Sequence, residues 1–290
     1  MPPTSQRILV GYSATPAGED ALAAGAALAA SVGAELDVVL VLPDTSRRAN
    51  VPNDPGYDAL LRDTAERWLA EARTSLAQLV DGDRPVAFSE RVAYGDSLAE
   101  GLLTAAEESA ATLIVVGAAR GGLLGRFTVG SVAGSLLHAS PIPVLLAPEG
   151  WRASATALSR VTCMLGTRAG APGVLATGER LSGAARVPLR LVSLLALDLP
   201  GDFKAGKQRV GEHHAASVLE EASAATGVVA TAVVAKGDSI QDAVATLEWQ
   251  PGEVVVVGSS RLAQPSRLFL GPTAATMLRE LPVPMIVVPR

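Results

Sequence analysis

The chain has 290 residues, a formal net charge of −5 and a single cysteine. At about 150 residues per domain this length predicts two domains, and 49% apolar with 18% charged residues excludes a disordered chain. Nucleic acid and anionic membranes attract clustered Lys and Arg, so the acidic balance predicts neither as a partner. One cysteine and three histidines exclude an internal disulfide and a Cys/His zinc cluster.

The start of the chain lacks the basic and apolar segments of an export signal. The longest apolar runs are far shorter than the roughly 20 residues that span a bilayer. Together with the lone cysteine, these features predict a protein of the reducing cytoplasm.

The first half of the chain alternates short apolar runs with amphipathic segments. The runs that predict strands are 8–11, 36–42, 86–94, 112–116 and 144–147. Four helical segments separate the five runs. This alternation predicts a parallel sheet with helices on both faces.

The predicted helices have recognisable starts. Thr15 is the predicted cap of the first helix, Asp96 is the predicted cap of the third, and the fourth begins near Ser131. Apolar residues at steps of three and four between Leu61 and Leu79 predict a long second helix.

The second half of the chain repeats the first. Gly117 recurs as Gly258 and Pro148 as Pro289, both 141 residues later, within similar apolar and proline-containing segments. Nearer the beginning of each copy the spacing is wider, which indicates an insertion in the first copy, predicted at the loop 43–56. The predicted domains are residues 1–150 and 151–290.

A ligand site is expected where parallel strands end. In an open parallel sheet the ligand crevice lies beyond the carboxyl ends of the strands, where the strand order reverses. The loop after the fourth strand runs from Gly117 to Gly130 and leads into the helix at Ser131. Free N–H groups and the helix dipole at such a start favour an anion such as phosphate.

The spacing in this loop resembles the signature of the universal stress protein family, which is Gly, two residues, Gly, nine residues, then Gly followed by Ser or Thr. Gly117, Gly130 and Ser131 match the signature in type and spacing. Arg120 stands at the place of the second glycine, and Gly121 comes one place late. Arg120 therefore either contacts a phosphate or fills the space that the missing glycine leaves.

The second copy matches the signature less well. Gly258 and Gly271 match, Arg261 replaces the middle glycine, and Pro272 replaces the Ser or Thr. Proline has neither an N–H nor a hydroxyl, so two donors that a phosphate would use are missing. We interpret the second copy as a structural pseudo-domain.

The resemblance implies two tandem Rossmann-like domains of the HUP type, each a mostly parallel five-stranded α/β sheet with helices on both faces. Family members form dimers, or tandem pairs that mimic a dimer, so the final strands 144–147 and 285–288 are expected to pair. A single chain would then be an intramolecular pseudo-dimer, with a homodimer of chains as a further expectation.

Some members of the family bind ATP. In those members an aspartate after the first strand holds the nucleoside, and a valine that closes the second strand contacts adenine. Here Ser13 stands at the aspartate position and Val41 at the valine position. The implied site for ATP, accompanied by Mg²⁺, comprises Ser13, Val41, Gly117, Arg120, Gly130, Ser131 and Val132.

The resemblance implies a non-catalytic cytoplasmic stress-response protein that binds ATP in its first domain. The chain has no Walker loop and no Gly-x-Ser-x-Gly elbow, which argues against an enzyme. A nucleotide-free scaffold that acts through protein partners is the alternative, and a slow ATPase is a third hypothesis. The glycines alone are also explained by a tight turn.

Cys163 is predicted to be an inert core residue.

Overall fold

The computed structural model describes residues 6–44, 55–79, 86–118, 130–153, 156–166, 171–196, 204–259, 268 and 270–289. These residues divide into two compact units. The first contains the described residues up to 157 apart from 137–143, and the second contains 137–143 and the described residues from 158 onward.

The elements of the first copy follow the predicted order. They are β1 (Arg7–Tyr12), α1 (Pro16–Val32), β2 (Glu35–Pro43), α2 (Pro55–Leu79), β3 (Phe88–Gly95), α3 (Leu98–Glu108), β4 (Leu113–Gly117), α4 (Ser131–Ala139) and β5 (Val144–Ala147). The five predicted strands are confirmed, with ends that differ from the predicted ends by up to two residues.

The second copy repeats this order after a short 3-10 turn at Trp151–Ala153. Its elements are β6 (Arg160–Met164), α5 (Ala171–Ala185), β7 (Leu189–Ala196), α6 (Lys204–Ala225), β8 (Ala230–Gly237), α7 (Ile240–Ala245), β9 (Glu253–Gly258), α8 (Pro272–Glu280) and β10 (Met285–Val288).

Each copy forms a parallel five-stranded arrangement. The order is β3-β2-β1-β4-β5 in the first copy and β8-β7-β6-β9-β10 in the second. The strand order reverses between β1 and β4, and between β6 and β9. Two tandem Rossmann-like α/β domains are therefore confirmed, and each has its reversal at equivalent strands.

Helix α1 begins where the sequence predicts, with Thr15 as its N-cap. The Thr15 hydroxyl accepts a hydrogen bond from the Gly18 amide at 3.2 Å, and Pro16 occupies the first turn. Gly33 ends the helix in the left-handed conformation with φ at 70°, which glycine adopts without steric cost. The buried face between these ends consists mainly of alanines and glycines, so the helix lies close to the sheet.

The predicted cap of α3 is wrong by one residue. Ser97, and not Asp96, is the N-cap, because its hydroxyl accepts a hydrogen bond from the Glu100 amide at 3.2 Å. The Asp96 amide instead donates to the Glu100 carboxylate at 3.1 Å. Asp and Ser are both good caps, so the local sequence Asp96-Ser97 left the exact start of the helix undetermined.

Ion pairs lie at the amino ends of the strands. In the second unit the Glu253 carboxylate, which is 0% exposed, accepts hydrogen bonds from Arg160 at 2.6 Å and from Arg190 at 2.7 Å. The Thr162 hydroxyl donates to the same carboxylate. Burial lowers the pKa of Arg190, and the attraction of Glu253 opposes this shift. A fully buried carboxylate is tolerated only with such partners.

We expect Glu253→Gln to lower the free energy of unfolding by about 3–5 kcal/mol, because a neutral amide leaves the buried Arg190 and the part-buried Arg160 without their shared anion. The matched control is Glu35→Gln, since Glu35 pairs with Arg7 at 2.8 Å but both side chains are 40% exposed. Exposed pairs contribute less than about 1 kcal/mol. Urea unfolding followed by circular dichroism measures both losses, and equal losses would contradict this account.

Candidate functional site

Three of the predicted site residues lie at the carboxyl ends of three adjacent strands. Ser13 follows β1, Val41 is near the end of β2, and Gly117 closes β4. Tyr12 is paired with Leu40 in register, so Ser13 and Val41 come next on neighbouring strands. Strand β4 is the other neighbour of β1. The structure thus brings these residues to the reversal of strand order, where open parallel sheets bind ligands.

Ser13 stands in an exposed turn between β1 and α1. Its hydroxyl lies 2.9 Å from the Thr15 hydroxyl, and its carbonyl accepts a hydrogen bond from the Thr15 amide at 2.7 Å. Two neutral hydroxyls therefore occupy the end of β1. They can donate to or accept from a ligand hydroxyl, but they supply no negative charge.

Gly117 is required by backbone packing. A Cβ atom at this position would lie 1.9 Å from the Ala17 carbonyl oxygen in the first turn of α1. Gly18, in the first turn of α1, leaves no room for a side chain either, since a Cβ atom there would lie 1.9 Å from the Ser13 carbonyl oxygen. The end of β4 and the start of α1 are thus in direct backbone contact. This contact explains why residue 117 is a glycine, whether or not a ligand binds.

Val41 is 9% exposed and contacts α3. A Cβ atom at Gly101, in the first half of α3, would lie 2.4 Å from the Val41 Cγ1 atom. The close approach of α3 therefore covers most of the Val41 side chain. A contact between this valine and an adenine ring stays a prediction.

Gly130, Ser131 and Val132 lie at the start of α4. The Gly134 amide donates to the Gly130 carbonyl at 2.8 Å, and Ser131 is exposed. Because α4 connects the parallel strands β4 and β5, its first turn lies toward the carboxyl ends of those strands. The first amides of a helix have no partner within the helix. Arg120 lies outside the described residues.

Tyr12 is a residue of this region that the sequence analysis did not single out. Its hydroxyl donates to the Glu19 carboxylate at 2.8 Å, and the ring is buried. Burial raises the pKa of Tyr12, and the hydrogen bond to Glu19 raises it further. The hydroxyl therefore stays protonated and ties the end of β1 to α1. Only the fold reveals this contact, because neither residue belongs to a recognised motif.

Among the described residues, two positions of the second copy lack the hydroxyls found at their equivalents in the first copy. Gly166 follows β6 where Ser13 follows β1. Gly271 is the N-cap of α8 without a side-chain hydrogen bond, and Pro272 is the first helical residue. Proline suits a helix start but donates no hydrogen bond. Arg261 lies outside the described residues.

The described residues contain no group of three or more His, Cys, Asp or Glu side chains placed to hold a metal ion. Within the same residues, none of the helices has both the length and the apolar character needed to cross a membrane.

Cys163 lies in β6, is 0% exposed, and its thiol approaches the Val174 carbonyl at 3.5 Å. Burial raises the pKa of Cys163 to about 12, with a further contribution from Glu179.

The sequence model of the universal stress protein family matches residues 4–148 and 171–289. A universal stress protein of Mycobacterium tuberculosis is 30% identical over 298 aligned positions, which cover 97% of this chain and 99% of that protein. A universal stress protein of Mycobacterium bovis has the same identity and coverage. The chain therefore belongs to the universal stress protein family.

Solved structures agree with the fold. The crystal structure of a universal stress protein from Archaeoglobus fulgidus superposes with a TM-score of 0.70 at 20% identity, covering 99% of each chain. A Pseudomonas aeruginosa protein described as functionally unknown superposes with a TM-score of 0.58 at 17% identity, covering 99% of this chain and 93% of that one. Both structures thus share the α/β fold over nearly the whole of this chain.

We expect Gly117→Ala to destabilise the protein by about 1–3 kcal/mol, because the added methyl group overlaps the Ala17 carbonyl. The control is Gly183→Ala in α5, where a Cβ meets nothing within 4 Å. This change should stabilise the protein by about 0.5–1 kcal/mol through helix propensity. Urea unfolding distinguishes the two. If Gly117→Ala left the free energy of unfolding unchanged, the backbone contact would not be tight.

We expect the Cys163 thiol to be unreactive in the folded protein. At pH 8 a thiol with a pKa of about 12 is almost wholly protonated, and the thiolate is the reactive form. The measurement is the reaction with a disulfide reagent such as DTNB, before and after adding urea. One thiol should react in urea and none in buffer over the same minutes; rapid reaction in buffer would contradict the buried placement.

Proposed function

We propose that this chain is a non-catalytic cytoplasmic stress-response protein whose first domain binds an adenine nucleotide. The observation that carries the proposal is the meeting of polar and apolar groups at one end of the first sheet. Exposed hydroxyls follow β1, a valine lies near the end of β2, and the glycine-led start of α4 follows β4. Membership of the universal stress protein family supports the same assignment.

Each part of the nucleotide has a proposed partner. The phosphates would accept hydrogen bonds from the first amides of α4 and from the Ser131 hydroxyl, where the helix dipole favours an anion. The sugar hydroxyls would bond to the hydroxyls of Ser13 and Thr15. The base would lie against the remaining exposed surface of Val41, and Arg120 would approach the phosphates. Mg²⁺ would enter bound to the phosphates.

We propose one nucleotide for each chain. The second copy has Gly166 in place of the Ser13 hydroxyl and Pro272 in place of Ser131, so it lacks three of the donors that the first copy offers. In this proposal the second copy has a structural role, because it takes the place of the second subunit of a family dimer.

The alternative is a nucleotide-free scaffold that acts through protein partners. The observation that favours it is that packing alone accounts for two site residues. Gly117 has to be glycine because of the Ala17 carbonyl, and Val41 is largely covered by α3. The scaffold hypothesis predicts that no nucleotide changes the stability of the protein.

We expect Mg-ATP at saturating concentration to raise the melting temperature by a few degrees, because a ligand that binds only the folded state stabilises it. Calorimetry should give one site for each chain. Ser131→Glu should abolish the rise by placing a negative charge beside the phosphates. A glutamate in the first turn of a helix is otherwise favourable, so the fold should tolerate it.

The matched control is Pro272→Glu, since Pro272 is the equivalent exposed residue at the start of α8. This variant should keep the full thermal shift. Loss of the shift in both variants would place the nucleotide elsewhere. No shift and no heat with the original sequence would exclude the nucleotide proposal and leave the scaffold.

A further inference from the structure

A buried aspartate on α1 binds the segment that leaves the first sheet. Asp20 is 2% exposed. One carboxylate oxygen accepts a hydrogen bond from the Gly150 amide at 2.8 Å, and the other accepts from the Arg152 amide at 2.9 Å. Both oxygens are thus used by backbone groups that follow β5. Hydrogen bonds to an ionised acceptor are stronger than neutral ones.

The bound segment has a defined conformation. Gly150 has φ at +79°, in the left-handed region, and a Cβ added there meets nothing within 4 Å. The Trp151 amide donates to the Pro148 carbonyl at 3.2 Å, and the Trp151 side chain is buried. The turn therefore presents two amides to Asp20 and places an indole against the first unit.

The same connecting segment is held at its other end. Within the second unit the Ser159 amide donates to the Gly252 carbonyl at 2.8 Å, and the Ser159 hydroxyl donates to the Pro251 carbonyl at 2.6 Å. Ser159 is seven residues after Arg152 but twelve residues after Ala147, the last residue of β5. At about 3.5 Å a residue, these intervals reach at most roughly 25 Å and 42 Å.

We propose that Asp20 is a latch for the segment that connects the two domains. With the latch closed, the chain is fixed at Arg152, and seven residues lead to the next fixed point. With the latch open and the Trp151 side chain released with it, the first fixed point moves back to the end of β5. The effective concentration of one domain at the other falls as the connecting chain lengthens. This device is independent of the proposed nucleotide site, and its test does not involve a nucleotide.

Trypsin cleavage after Arg152 tests the latch in the full-length protein. The Arg152–Ala153 bond lies in the turn that Asp20 holds, and a protease cuts such a bond in proportion to the population of the open form. We expect Asp20→Ala to increase the rate of this cleavage about tenfold or more, since two charge-assisted hydrogen bonds are lost. Mass spectrometry follows the fragment that ends at Arg152, and the other tryptic fragments are internal references.

Two further variants make the result decisive. Asp63→Ala removes the same charge from an exposed position of α2 and should leave the cleavage rate unchanged. Gly150→Ala changes only the conformational preference of the turn and should raise the rate about fivefold, because alanine disfavours a positive φ. If Asp20→Ala fails to fold by circular dichroism, Gly150→Ala decides the matter. An unchanged rate of cleavage after Arg152 in the folded variants would overturn the latch.

Discussion

The close approach of α1 to the first sheet is the constraint on which the rest of this domain depends. The helix reaches β1 and β4 only because glycine stands at the contact points. A Cβ at Gly25 would lie 2.4 Å from the Val10 side chain, and one at Gly117 would lie 1.9 Å from the Ala17 carbonyl. With the helix at this distance, Thr15 caps it beside Ser13, Glu19 meets the Tyr12 hydroxyl, and Asp20 reaches Gly150 and Arg152.

The two copies share their packing and differ in their polar groups. Gly178 approaches Cys163 in the second copy as Gly25 approaches Val10 in the first, and the two pairs are equivalent in the repeat. Gly95 and Gly237 are likewise packed against the first turn of the following helix. Glycines needed for packing are therefore present twice. The hydroxyl of Ser131, in contrast, has Pro272 as its equivalent, so this proposed ligand group is present in the first copy alone.

The buried ion pairs and the groups proposed to bind a ligand lie at opposite ends of the strands. Buried ion pairs lie toward the amino ends, where Asp37 accepts from Arg91 in the first unit and Glu253 binds two arginines in the second. Although burial lowers the pKa of Arg91, hydrogen bonds to Asp37 and Glu108 raise it above its ordinary value. At the carboxyl ends of β1 and β4, the groups proposed to meet a ligand are the hydroxyls of Ser13 and Thr15 and the first amides of α4. Other stabilising groups lie within the proposed site itself, since Thr15 caps α1 and Gly117 packs against its first turn.

The sequence by itself determined the two copies, their five strands, the order of helices and the family, because apolar periodicity and repeated glycines are local patterns. It also determined that the second copy lacks the N–H and the hydroxyl that Ser131 has in the first copy, since Pro272 has neither group in any fold. Adjacent residues with the same local preference were not separable, and for this reason Asp96 was predicted as a cap where Ser97 is the cap. Arg120 lies outside the described residues, so the role proposed for it rests on the sequence.

Only the tertiary structure decided which residues meet across long stretches of chain. Gly117 is glycine because of a carbonyl one hundred residues earlier, at Ala17. Asp20 resembles an ordinary solvent-exposed carboxylate of a helix until the turn at Gly150 and Arg152 covers it. The register that places Ser13 beside Val41 is likewise a property of strand pairing. Such contacts depend on distance in space, which a linear pattern of residue types does not record.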